Sequence, residues 1–109
     1  MSDSLKKRII AGALDLIVEQ GHWTRGALAR RSNNQPCTWS DPEAVRFCAV
    51  GALHRAATEA IRGWGCSRAI EAQEFIMSAN NRPRDELIEI NDEEGHSAVI
   101  AMFRTALDR

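Results

Sequence analysis

Three cysteines, three histidines and an adjacent Asn91-Asp92 pair are the side chains of this chain with the most latent chemistry. Cys48 sits inside "RFCAVGALHR", residues 46 to 55. A cysteine there works as a nucleophile if a base or a helix terminus lowers its pKa, and a cysteine-dependent enzyme would combine it with Asn91, Asp92 and His96 brought near by folding. The alternative is a buried thiol acting as a small apolar residue. Two features favour packing. His54 is six positions on, on a different side of a helix, and a helix starting at Pro42 puts Cys48 about two turns in, beyond the reach of the terminal dipole.

Metal and cofactor chemistry finds no pattern. Cys37, Cys48, Cys66, His22, His54 and His96 match no finger, ribbon or HExxH spacing, so no metal and no cofactor is expected. The acidic stretch Asn91-Asp92-Glu93-Glu94 lacks the spacing of a calcium loop, and capping of the last helix explains it more simply. Trp23, Trp39 and Trp64 fall in or near expected loops, where anchoring irregular chain to the core is favoured over forming a ligand platform.

The candidate binding surface is Trp23 with Arg25, Arg30 and Arg31 in "WTRGALARR". The segment has a passing likeness to the first helix of a helix-turn-helix, but Pro36 and Pro42 leave no room for a recognition helix. Charge also counts against nucleic acid, because 109 residues carry a net charge of −1. The halves differ: residues 1–62 hold nine Lys/Arg against six Asp/Glu, and 63–109 hold five against nine. Such a distribution suits steering of a protein partner or attraction between the two halves of the chain, and a homodimer stays open.

The elements that must position these residues are mostly helical. "SLKKRIIAGALDLIVEQ", residues 4–20, repeats Leu5, Ile9, Ala13, Leu16 and Ile17 at helical spacing, with Gly21 as its stop. Gly26, Pro36 and the polar run Ser32 to Gln35 suit a short hairpin of "RGALAR" against "PCTW". Asp41-Pro42-Glu43 is a strong helix-start signal, for a helix from about Pro42 to Arg62 stopped by Gly63. Five alanines and Gly51 make it the central helix, approached closely by its neighbours. Residues 67–79 read as a third helix capped by Ser67, and "HSAVIAMFRTALDR" as the last, capped by Asn91-Asp92 or Ser97; "RDELIEIND" is ambiguous.

The expected fold is therefore a single, mainly α domain over residues 1–109: four helices around a central small-residue helix, with a possible short β-hairpin between the first two. With 44% apolar and 27% charged residues, the composition is that of a globular protein. Apolar runs are short and interrupted by charge, as by Asp15, which points to no membrane span, no signal peptide and a cytoplasmic setting.

"WTRGALAR" at 23–30, "DPEAVRFCAVGALHRA" at 41–56 and "IEIND" at 88–92 together resemble a family of small uncharacterised bacterial and phage-encoded domains with a WxxGALA, FCAxGAL and Asn-Asp pattern. Ile90 departs from a tryptophan in that pattern, and the turn at Ser32 to Gln35 lacks its glycine. The resemblance implies no activity. It singles out Trp23, Gly26, Cys48, Gly51, Asn91 and Asp92, either as one structural unit that packs the tryptophan on the central helix or as the lining of a site. The resulting expectation is a non-catalytic, macromolecule-binding module, with the Cys48 enzyme and a nucleic-acid binder through Arg25, Arg30 and Arg31 as alternatives.

Overall fold

The computed structural model describes residues 3–61 and 65–109. The first helix, α1 (Asp3–Ile17), buries Ile9, Ile10, Ala13 and Ile17, the stripe that the periodicity marks. It ends four residues before Gly21, and a single 3-10 turn at Gln20–His22 carries the chain onward.

Three short strands follow. β1 (Ala29–Arg31) pairs antiparallel with β2 (Pro36–Cys37), with Ala29 opposite Cys37 and Arg30 opposite Pro36. This is the expected hairpin, shortened to the residues that flank its turn and with Arg31 added to the first strand. Its turn does without glycine because Asn34 takes the left-handed conformation, φ 71°, which asparagine tolerates better than other side chains. β3 (Ala44–Phe47) pairs antiparallel with the other edge of β1, giving the order β2-β1-β3.

β3 corrects the helix expected from Pro42. Asp41 Oδ1 accepts the Glu43 N–H at 2.8 Å, and its Oδ2 accepts a two-pronged contact from Arg31 at 3.0 and 2.7 Å. The carboxylate thus closes an Asx turn rather than capping a helix. Arg31 then pairs with Ala44 and Arg30 with Arg46. Val45 is the extra residue of a bulge, left exposed, and Phe47 opposite Ala29 turns into the core.

The central helix α2 (Ala49–Ala60) begins seven residues later than the signal suggests. Its position is as expected, since it packs against both α1 and α3 (Gly65–Ala79). Ala49, Ala52, Leu53, Ala56 and Ala57 are buried along it, and a Cβ on Gly12 of α1 would stand 3.4 Å from that of Ala56. The expected stop at Gly63 and the neighbouring Trp64 lie outside the described residues.

The ambiguous segment is a helix, α4 (Leu87–Glu94), and α5 (His96–Leu107) closes the fold over α1, α3 and α4. Among the described residues, five helices and a three-stranded sheet replace the four helices expected, in a mainly helical chain. Asn91 and Asp92 belong to α4, and the residue at the start of α5 is Gly95, at φ 91°, which only glycine adopts without strain.

The sheet meets α2 at Gly51. A Cβ there would lie 2.0 Å from the Leu28 carbonyl oxygen and 2.9 Å from its carbon, both backbone atoms that cannot step aside. Gly51→Ala should therefore cost about 3 kcal/mol or more by forcing the loop off the helix. Gly12→Ala, which meets only a side-chain methyl, should be neutral or gain up to about 1 kcal/mol from helix propensity. Urea unfolding of the two variants checks the contrast.

Candidate functional site

Phe47 ends β3, and the next residue, Cys48, is the N-cap of α2 with extended backbone, φ −80° and ψ 173°. Its Sγ accepts the Gly51 N–H at 3.3 Å, and its own N–H donates to the Leu28 carbonyl at 3.1 Å. A thiol thus takes the place that Ser, Thr, Asp or Asn usually fills. The placement two turns into a helix is corrected, and with it the distance from the helix dipole. A terminal position favours a thiolate. Burial outweighs it: desolvation of the fully buried side chain pushes the Cys48 thiol above its ordinary 9.0, against the Gly51 and Val50 N–H groups, and the Asp92 carboxylate pushes the same way. Cys48 is a protonated thiol at neutral pH.

Asn91 is completely buried on α4, and each of its four hydrogen-bonding positions is engaged. Oδ1 accepts the Trp23 indole N–H at 2.7 Å and the Ala49 backbone N–H at 2.8 Å. Nδ2 donates to the Thr24 carbonyl at 3.1 Å and to Asp92 Oδ1 at 3.0 Å. The same Asp92 oxygen accepts the Gly26 N–H at 3.1 Å. One carboxamide therefore joins the loop after α1, the first turn of α2 and α4. Trp23 contacts two further groups, the His96 ring with centroids 5.5 Å apart and the Arg25 guanidinium at 5.2 Å from its ring centroid. His96 Nε2 lies 2.7 Å from the Ile17 carbonyl, which fixes that nitrogen as the donor and satisfies the end of α1.

Trp23, Gly26, Cys48, Gly51, Asn91 and Asp92 do form one cluster, and its chemistry is that of a knot. No lone pair or N–H of Asn91 is left for a substrate. The family resemblance marks these side chains but not their partners, because most are backbone atoms: the Ala49 and Gly26 N–H groups and the Thr24 and Leu28 carbonyls.

The basic residues differ in what they leave free. Arg30 donates to Thr24 Oγ1 at 2.9 Å, the Asn34 carbonyl at 3.0 Å and the Arg25 carbonyl at 3.2 Å. Arg31 is forked on Asp41, whose carboxyl is held below its usual range by the Glu43 N–H and by Arg31. Arg25 is exposed and lies over Trp23.

A second feature is an open cleft of about 520 Å³ between the first turn of α2, the C-terminal half of α3 and the entry to α4. Val50, Met77, Pro83 and Ile88 supply its apolar surface. The knot sets its walls, since Val50 follows Ala49 and Ile88 lies one turn from Asn91 on α4. The 80s loop is pinned by Arg82, which bridges Asp85 and Glu94 at 2.6 Å each. The carboxylates hold Arg82 charged, and Arg82 in turn lowers the pKa of Glu94.

The chain matches, over residues 1–109, the Family of unknown function (DUF6197). It belongs to that family. It matches none of the curated proteins and none of the solved structures. For this DUF6197 member the geometry itself therefore carries the functional argument.

Among the described residues no group of three or more His, Cys, Asp or Glu side chains is gathered as a metal site, and no described helix is long and apolar enough to cross a membrane. One titratable group stands apart. His54 stacks on Trp39 with ring centroids 5.4 Å apart and planes 29° from parallel, and its buried Nδ1 has no hydrogen-bond partner among the described residues. Desolvation lowers its pKa from 6.5, so the fold holds it neutral. Arg55 fixes the backbone of Trp39 by donating to its carbonyl at 3.0 Å and to that of Asp41 at 3.1 Å.

Asn91→Asp should cost about 3 kcal/mol, because a carboxylate oxygen would face the Thr24 carbonyl and Asp92 in place of an N–H donor. The loss should shrink in acid, where the introduced carboxyl is protonated and can donate; chemical unfolding across pH reads both effects. For His54 the unfolded chain binds the proton more readily than the fold. Its contribution is intact above 6.5 and is lost as pH falls from there toward the lower folded pKa. The fall in thermal midpoint between about pH 7 and 5 should be smaller in His54→Phe, which keeps the stack on Trp39.

Proposed function

We propose that the protein is a non-catalytic module that binds another protein through the cleft between α2, α3 and α4. The observation that carries this reading is the cleft itself: open, apolar at Val50, Met77, Pro83 and Ile88, and of a volume that accommodates side chains of a partner. The motif resemblance supports an accessory role in a bacterial or phage setting.

Against the cysteine-dependent alternative stands the state of its residues. Cys48 is buried and protonated, Asn91 is saturated, and His96 Nε2 is engaged with Ile17. Against a nucleic-acid interface stand the internal contacts of Arg30 and Arg31.

A photo-crosslinking side chain in place of Ser78, an exposed residue lining the cleft, should give one discrete protein adduct in native host cells. The same group in place of Glu59, exposed at the far end of α2, should give none. No adduct at Ser78, or equal adducts at both, would overturn the reading. Site-resolved alkylation supplies the companion measurement: Cys48 should stay unmodified until the protein unfolds, and fast labelling of the native state would revive the enzyme.

A further inference from the structure

We infer that the cleft receives a basic amphipathic helix of a partner protein, with apolar anchors seated on Val50, Pro83 and Ile88 and Lys or Arg side chains meeting the rim. This rests on the reading of the cleft as a docking site and adds the chemistry of its occupant.

Charge makes the first argument. The charged groups lining the cleft are Glu74, Asp85 and Glu86, and among the described residues no cationic side chain lines it. Asp85 is partly neutralised by Arg82, whereas Glu74 and Glu86 are exposed and have no ion-pair partner among the described residues. Residues 63–109, the part of the sequence that supplies α3 and α4, carry nine acidic against five basic side chains. An anionic occupant would be repelled from such a rim, and a cationic one steered toward it.

Shape makes the second. Ile70 is 53% exposed on α3 and lies at helical spacing with Glu74 and Met77, so an apolar side chain extends the cleft along the same face. Ile70 to Met77 spans about 10 Å at the helical rise, the reach of i and i+7 anchors on a docked helix. Within this chain the helix that carries Lys6, Lys7 and Arg8 is α1, and its apolar stripe of Ile9, Ile10, Ala13 and Ile17 is already buried in its own core. A second copy therefore has no free apolar face on that helix to seat in the cleft, and the occupant is a different chain.

The test titrates the full-length protein with three synthetic peptides: a Leu/Lys sequence patterned as an amphipathic helix, its Leu/Glu counterpart, and a scramble of the first. The patterned basic peptide should bind, and the other two at least about tenfold more weakly. Glu74→Lys combined with Glu86→Lys, both at exposed positions, should weaken the basic peptide by about tenfold or more with an unchanged unfolding midpoint. Equal binding of the scramble, preference for the acidic peptide, or indifference to the double substitution overturns the inference. So does self-association in sedimentation that the double variant abolishes, which would make a second copy the occupant. If Ser78 crosslinks a partner in cells and no basic peptide binds, this inference fails while the interaction module stands; if Ser78 also gives no adduct, the module reading fails with it.

Discussion

Burying a carboxamide is unfavourable unless every donor and acceptor finds a partner, and Asn91 meets that condition by joining segments that are remote in sequence. The loop after α1, the first turn of α2 and the body of α4 are all oriented by it. Because both lone pairs and both N–H groups are used, the arrangement is close to all-or-none: moving any one segment leaves a buried group of another without a partner.

The second constraint is steric. Leu28 lies so close to Gly51 that its carbonyl occupies the volume where any other residue's Cβ would be, and this oxygen accepts the Cys48 N–H. Hydrogen bonding and close packing thus fix the same junction from two sides, with the Cys48 thiol closing the first turn of α2 from within. The alanines of α2 then allow α1 and α3 to approach, and the fixed ends of α2 and α4 hold the walls of the acid-rimmed cleft. The motif residues thus stand one step back from the cleft: they hold the elements whose outer faces line it.

The helices legible in the sequence were those with long apolar stripes. Ile9, Ala13 and Ile17 in α1 and Val99, Met102, Phe103 and Ala106 in α5 repeat at a period that only a helix buries on one face. Asp41-Pro42-Glu43 misled because a capping signal is local. The same aspartate closes an Asx turn equally well, and the decision fell to Arg31, ten residues earlier, and to the free edge of β1 that Ala44 to Phe47 could pair with. The shift of the helix start moved Cys48 from a helix interior to a cap, and so changed its surroundings without changing its identity. The family resemblance marks Trp23, Gly26, Cys48, Gly51, Asn91 and Asp92 as a set and leaves open whether they form a structural unit or line a site, since a side chain's backbone partner leaves no trace in residue type.

By itself the sequence determined a mainly helical chain and a central helix whose alanines and glycine imply close neighbours, because periodicity and side-chain volume act locally, and it allowed a hairpin around an asparagine-bearing turn. Only the tertiary structure decided that residues 44–47 form a strand, that Cys48 is a buried cap, that Asn91 is the knot, and that Glu74 and Glu86 border one cleft. Each of these depends on a contact between segments far apart in the chain, where hydrogen-bond saturation and steric exclusion, rather than intrinsic propensity, choose the conformation.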